Sequence, residues 1–168
     1  MSLYKISEIK NKYNKTLDKL SPSEQKTKWV FFRIPLFIGI LFSTVGVLPT
    51  GDFLTGLISM LAILVGFTVN AGILLINYTV DENDRQVSDR KELKNDILSI
   101  STYSIVIGIF AIIFSGVILL GVSNAPIVRL PHQIGLRMLS VILYALLLHF
   151  MFTLLLLPSR LYAVITST

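Results

Sequence analysis

"FLTGLISMLAILVGFTVNAGILLINY", residues Phe53 to Tyr78, contains 26 residues and no charge. A helix rises about 1.5 Å per residue, so roughly 20 apolar residues cross a hydrocarbon layer about 30 Å thick. This stretch is long enough to cross with residues to spare. Three other stretches pass the same test: Trp29 to Pro49, Ile97 to Val122 and Met138 to Leu157. The whole chain agrees, with 53% hydrophobic residues, 15% charged residues and a mean hydropathy of +0.72; soluble domains carry about 25% charge. The fold class is therefore an all-α integral membrane protein with four transmembrane helices. With no cysteine, disulfide staples and thiolate metal sites are excluded.

Basic residues close to the ends of spans bias their loops to the cytoplasm. The N-terminal segment carries Lys5, Lys10, Lys12, Lys15, Lys19, Lys26 and Lys28, with Arg33 just inside the first span. The loop between the second and third spans adds Arg85, Arg90, Lys91 and Lys94. The short connection "PTGD" has no basic residue, and "SNAPIVRLPHQIGLR" has only Arg129 and Arg137. Both termini are thus expected inside, with Arg33, Arg85, Arg90, Lys91 and Lys94 available to headgroups or to a partner at the inner face. Trp29, Tyr78, Tyr103 and Tyr162 fall near the predicted inner boundary, where amphipathic rings sit well. Lysines beside anionic lipid account for the net charge of +5, so direct nucleic-acid binding is not expected.

Ile6, Ile9, Tyr13, Leu17 and Leu20 recur at intervals of three and four, one stripe of an amphipathic helix. Residues 1–20 form this cytoplasmic segment and residues 21–168 the transmembrane domain. The lysines around the stripe favour the inner leaflet as its seat, with self-bundling or a partner as alternatives. "SPSE" at 21–24 carries a capping-box pattern, Ser21 as cap, Pro22 in the first helical position and Glu24 at the third, so the first span should start there. Pro35 should bend that helix and leave carbonyls for neighbouring groups to satisfy. The first segment is too long and polar for a signal peptide, so the first apolar run is expected to be retained.

Small residues at helical spacing let helices approach closely in lipid. Gly39, Ser43 and Gly46 form such a stripe in the first span, Ala62 and Gly66 in the second, and Ser104, Gly108, Ala111 and Ser115 in the third. Three stripes in a small chain predict a homo-oligomer. The inner loop, "DENDRQVSDRKELKND", mixes six acids with four bases; it reads as a solvated helical extension and a docking surface, and no metal site or cofactor is expected. The outer loop at 123–137, with Pro126, Pro131 and His132, is expected to rest on the outer leaflet or fold back on the helices.

His149 lies about halfway along the fourth span, and Asn70 in the second, toward the inner side. Both spans run from outside to inside, so the two side chains share a depth and can bond to each other. The alternatives for His149 are a proton-sensitive or pore-lining group, or one ligand of a metal shared between copies. There is no intramembrane carboxylate, Walker motif, zincin pair or nucleophile elbow, so an enzyme is not expected.

The lysine-rich inner N-terminus, the short outer turn, the texture of residues 53–79, the charged inner loop and two further spans together resemble the small four-span membrane subunits of bacterial anti-phage defence, KwaA of the Kiwa system. The resemblance is one of layout over the whole chain. It implies an inner-membrane oligomer that senses phage-induced disturbance of the envelope and works with a soluble, DNA-binding cytoplasmic partner. From the residues themselves a sensor and scaffold, a holin-like or gated pore, and an accessory subunit all remain open.

Overall fold

The computed structural model describes residues 3–18, 29–45, 49–77, 87–123 and 130–166. Among these residues every element is helical: α1 (Leu3–Asp18), a π-wound turn (Trp29–Arg33) continuing into α2 (Ile34–Thr44), α3 (Gly51–Asn77), α4 (Val87–Ser123) and α5 (Leu130–Thr166). Three segments are long and apolar enough to cross a membrane, Gly51–Asn77, Lys91–Gly121 and Ile134–Pro158. The expected first span is shorter: its apolar helix covers Trp29–Thr44 and ends before Pro49. The capping-box segment at 21–24, Gly46, Tyr78, Arg85 and Pro126 lie outside the described residues.

Two boundaries moved for identifiable reasons. α5 begins at Leu130, inside the stretch expected to be a loop. Pro131 then occupies the first turn, where an N–H has no helical partner and proline is well tolerated. At its other end α5 runs past Leu157 through Pro158 to Thr166. A proline there removes the bond to the carbonyl four residues back without ending the helix. α4 starts at Val87, inside the charged loop, as that loop's helical spacing suggested.

The helices pack as an open row. α3 lies on α4, α4 on α5, and α5 on α2, while α2 and α3 do not touch. Close approach explains two of these junctions. At Gly39, a Cβ would stand 2.8 Å from the Val141 carbonyl oxygen and 3.1 Å from the Ala145 nitrogen, so glycine lets α2 lie on the α5 backbone. At Gly108, a Cβ would overlap Val65 Cγ2 and come within 3.0 Å of the Phe150 ring. Phe150, Leu61 and Ala111 are fully buried around that point. Four hydroxyls in the row find partners nearby: Ser104 donates to the Ile100 carbonyl, Ser115 to Ala111 and Ser140 to Leu136, while Ser43 crosses from α2 to the Arg137 carbonyl of α5 at 3.0 Å; the Ser101 hydroxyl is buried without a partner among the described residues. Backbone carbonyls accept a second bond at small cost, which suits a hydroxyl in an apolar medium.

The amphipathic helix takes a different seat from the expected leaflet. α1 docks on α4, and its Tyr13 and Leu17 are fully buried in a cluster with Ile97, Ile100, Tyr103 and Leu157. Its apolar stripe thus finds enough protein surface within its own chain.

Candidate functional site

The site starts from a missing hydrogen. In an α-helix the N–H of residue 35 would bond the carbonyl of residue 31, and Pro35 has no N–H. Residues 29–33 are π-wound here, and a donor for the Phe31 carbonyl comes from another helix: His149 Nδ1 of α5, at 2.6 Å. A carbonyl only accepts, so Nδ1 carries the proton. In a neutral ring, Nε2 is then an acceptor, and the Tyr103 hydroxyl of α4 donates to it at 2.9 Å. Phe32 packs its ring at 4.8 Å from the imidazole, centroid to centroid.

α1 completes the clasp. The Tyr13 ring stacks on Tyr103 with centroids 3.9 Å apart and planes 11° from parallel. Thr153 donates its single hydrogen to the His149 carbonyl at 2.7 Å. The Tyr13 hydroxyl, 3.3 Å from Thr153 Oγ1, must therefore be the donor in that pair. One turn along α1, the Thr16 hydroxyl lies 3.2 Å from both the Lys12 carbonyl and the Asp96 carboxylate of α4. Burial pushes the Tyr13 phenol up to about 12, against the opposing pull of its bond with Thr153. Outward-facing α1 is charged: Lys10, Lys12 and Lys15 are exposed, and Lys12 pairs with Glu8 at 3.2 Å, a solvated pair of small worth.

The predicted site residues divide. His149 is buried and doubly bonded, but its expected partner Asn70 is exposed on α3. Shared depth did not bring them together because α4 lies between α3 and α5. Tyr103, expected at headgroup level, is buried inside the clasp. Of the packing stripes, Gly39 with Ser43 meets α5, and Ser104, Gly108, Ala111 and Ser115 are all buried within the chain. Ala62 and Gly66 are exposed, and nothing lies within 4 Å of a Cβ at Gly66. Of the basic residues expected at the inner face, Arg33 and Lys91 are exposed, whereas Lys94 Nζ donates to the Ile76 carbonyl at 3.1 Å, a cation at the last turn of α3 where the helix dipole favours it. The Arg90 side chain lies outside the described set.

Tyr13, Tyr103, Thr153 and the Phe31 carbonyl were missed as members of the site. Pro35 gave the one available signal, since it marks the carbonyl of residue 31 as needing a donor. The arrangement can fix four pieces of chain in one register through groups that each serve two neighbours. No family model, curated protein or solved structure matches this chain.

Proposed function

We propose that the chain is a multi-pass protein of the bacterial inner membrane, with four helices in the membrane and both termini in the cytoplasm. It acts as a non-enzymatic, homo-oligomeric sensor and scaffold that relays disturbance of the envelope to a soluble cytoplasmic partner, as the layout of anti-phage defence subunits implies. The observation that carries this reading is where the polar groups go. His149, Tyr103, Thr153 and Ser43 bond from one helix to another, and Ser104, Ser115 and Ser140 bond back to carbonyls of their own helices, so these groups leave little to line a wide aqueous pore. The Trp29–Thr44 segment would reach about 24 Å at the α-helical 1.5 Å per residue and reaches somewhat less with its π-wound first turn, and Arg33 at its inner end can snorkel to headgroups. The open row supports oligomerisation, because α2 and α3 stand at opposite edges with much of their surface exposed.

A pore is the second reading, favoured by Thr55, Ser59 and Asn70, which are exposed together along α3. Expression of the chain alone in bacterial inner membrane separates the two. A defined oligomer in membranes that stay tight to ions and dye supports the scaffold. Leakage that substitution of Asn70 abolishes would sink it in favour of the pore.

A further inference from the structure

The clasp contacts are shared, and that gives them a directional consequence. Tyr103 offers its ring face to Tyr13 and its hydroxyl to His149, and His149 offers its other nitrogen to Phe31. Each link holds the next in place. We infer that α1 is a latch on the first apolar helix: seated, it holds residues 29–33 π-wound through the chain Tyr13, Tyr103, His149, Phe31, and unseating it lets that turn rewind.

The seat has the character of a removable contact. Among the described residues of α1, only Tyr13, Thr16 and Leu17 are buried. The Thr16 link to α4 and the Tyr13 link to α5 are long, at 3.2 and 3.3 Å, and the Asn14 Oδ1 is buried without a partner among the described residues, a standing cost of keeping α1 docked. A helix of 16 residues is marginal alone in water, but the exposed Lys10, Lys12 and Lys15 give a released α1 an acidic leaflet to settle on. Local windings of this kind recur at functional sites in helices. The latch is a property of the fold and does not rest on the sensor reading.

The chain provides its own reporter: its single tryptophan, Trp29, is the first residue of the π-wound turn and is 53% exposed. With no native cysteine, spin labels placed by Lys15→Cys and Lys91→Cys follow α1 against α4 in the full-length chain in bilayers. Tyr13→Ala should separate the labels and change acrylamide quenching of Trp29 as much as His149→Leu does. Where the single change leaves the labels together, Tyr13→Ala with Leu17→Ala is used. The variant combining Tyr13→Ala with His149→Leu should change quenching no further, the non-additivity of links in one chain. Separated labels with unchanged Trp29 quenching would overturn the latch. So would additive changes, or labels that stay together in the Tyr13, Leu17 double variant.

Discussion

Replacing His149 by leucine removes the donor to the Phe31 carbonyl and the acceptor for the Tyr103 hydroxyl in one step. Bonds between helices in membrane proteins average about 0.6 kcal/mol and reach about 1.7. Two of them amount to about 1 to 3 kcal/mol, and the upper half of that range applies here. The Phe31 carbonyl cannot recover the α-helical donor it would otherwise have, since residue 35 is proline. Leucine gains little in return, because the imidazole already packs on Phe32. Reversible unfolding in mixed detergent micelles should then show a loss of roughly 30-fold to 140-fold in the folding constant, at 1.4 kcal/mol per decade. Tyr103→Phe removes one of the two bonds and should lose about half as much. His149→Asn keeps an N–H near the Nδ1 position and should recover part of the loss. A His149→Leu protein within about 0.5 kcal/mol of the parent, the ordinary scatter of a surface change, would refute the claim that this imidazole holds the Phe31 carbonyl.

Gly39→Ala pushes a methyl against α5 backbone atoms that cannot swing away, and Gly108→Ala pushes one into Val65 and the Phe150 ring; each should cost about 1 to 3 kcal/mol in the same unfolding measurement. Gly66→Ala meets open space and should leave the single chain as stable or slightly more so. Crosslinking of Gly66→Leu then decides whether the α3 face joins copies, because a bulky side chain would block such a contact. Tyr13 is pushed up to about 12 from about 10 by burial. Its neutral form is favoured in the docked state, so this contribution to docking is complete below pH 10 and is lost as pH rises through about 12. The α1 labels should separate over that window in the parent and not in Tyr13→Phe. Phe150→Ala should cost about 3 to 5 kcal/mol, as for other large side chains removed from a full core.

Length and charge made the long helices legible, because a bilayer imposes a simple requirement that α3, α4 and α5 meet plainly. The amphipathic stripe of α1 was equally clear as a stripe. Its seat was not, since the same Tyr13 and Leu17 suit a leaflet or a protein groove, and only the packing of α4 and α5 chooses between them. Pro35 announced an orphaned carbonyl, and His149 announced a buried donor, yet joining them required knowing that α2 lies on α5. The pairing of His149 with Asn70 failed on lateral order, a quantity that depth along the membrane normal does not contain. The first helix came out shorter than its apolar run because hydropathy does not register where winding changes or where a helix stops.

The open row has two unlike ends, a short helix preceded by a π-wound turn at one and a long uninterrupted helix at the other. Association of like with like, α2 to α2 or α3 to α3, is isologous and can stop at a two-fold pair. Association of α2 with the α3 of the next copy is heterologous, and it closes into a ring only when the angle between neighbours divides a full turn. In a ring of that kind the number of copies would be a geometric reading of the angle between neighbouring chains, and the close seating of α2 on α5 at Gly39 fixes how each chain presents its α2 edge.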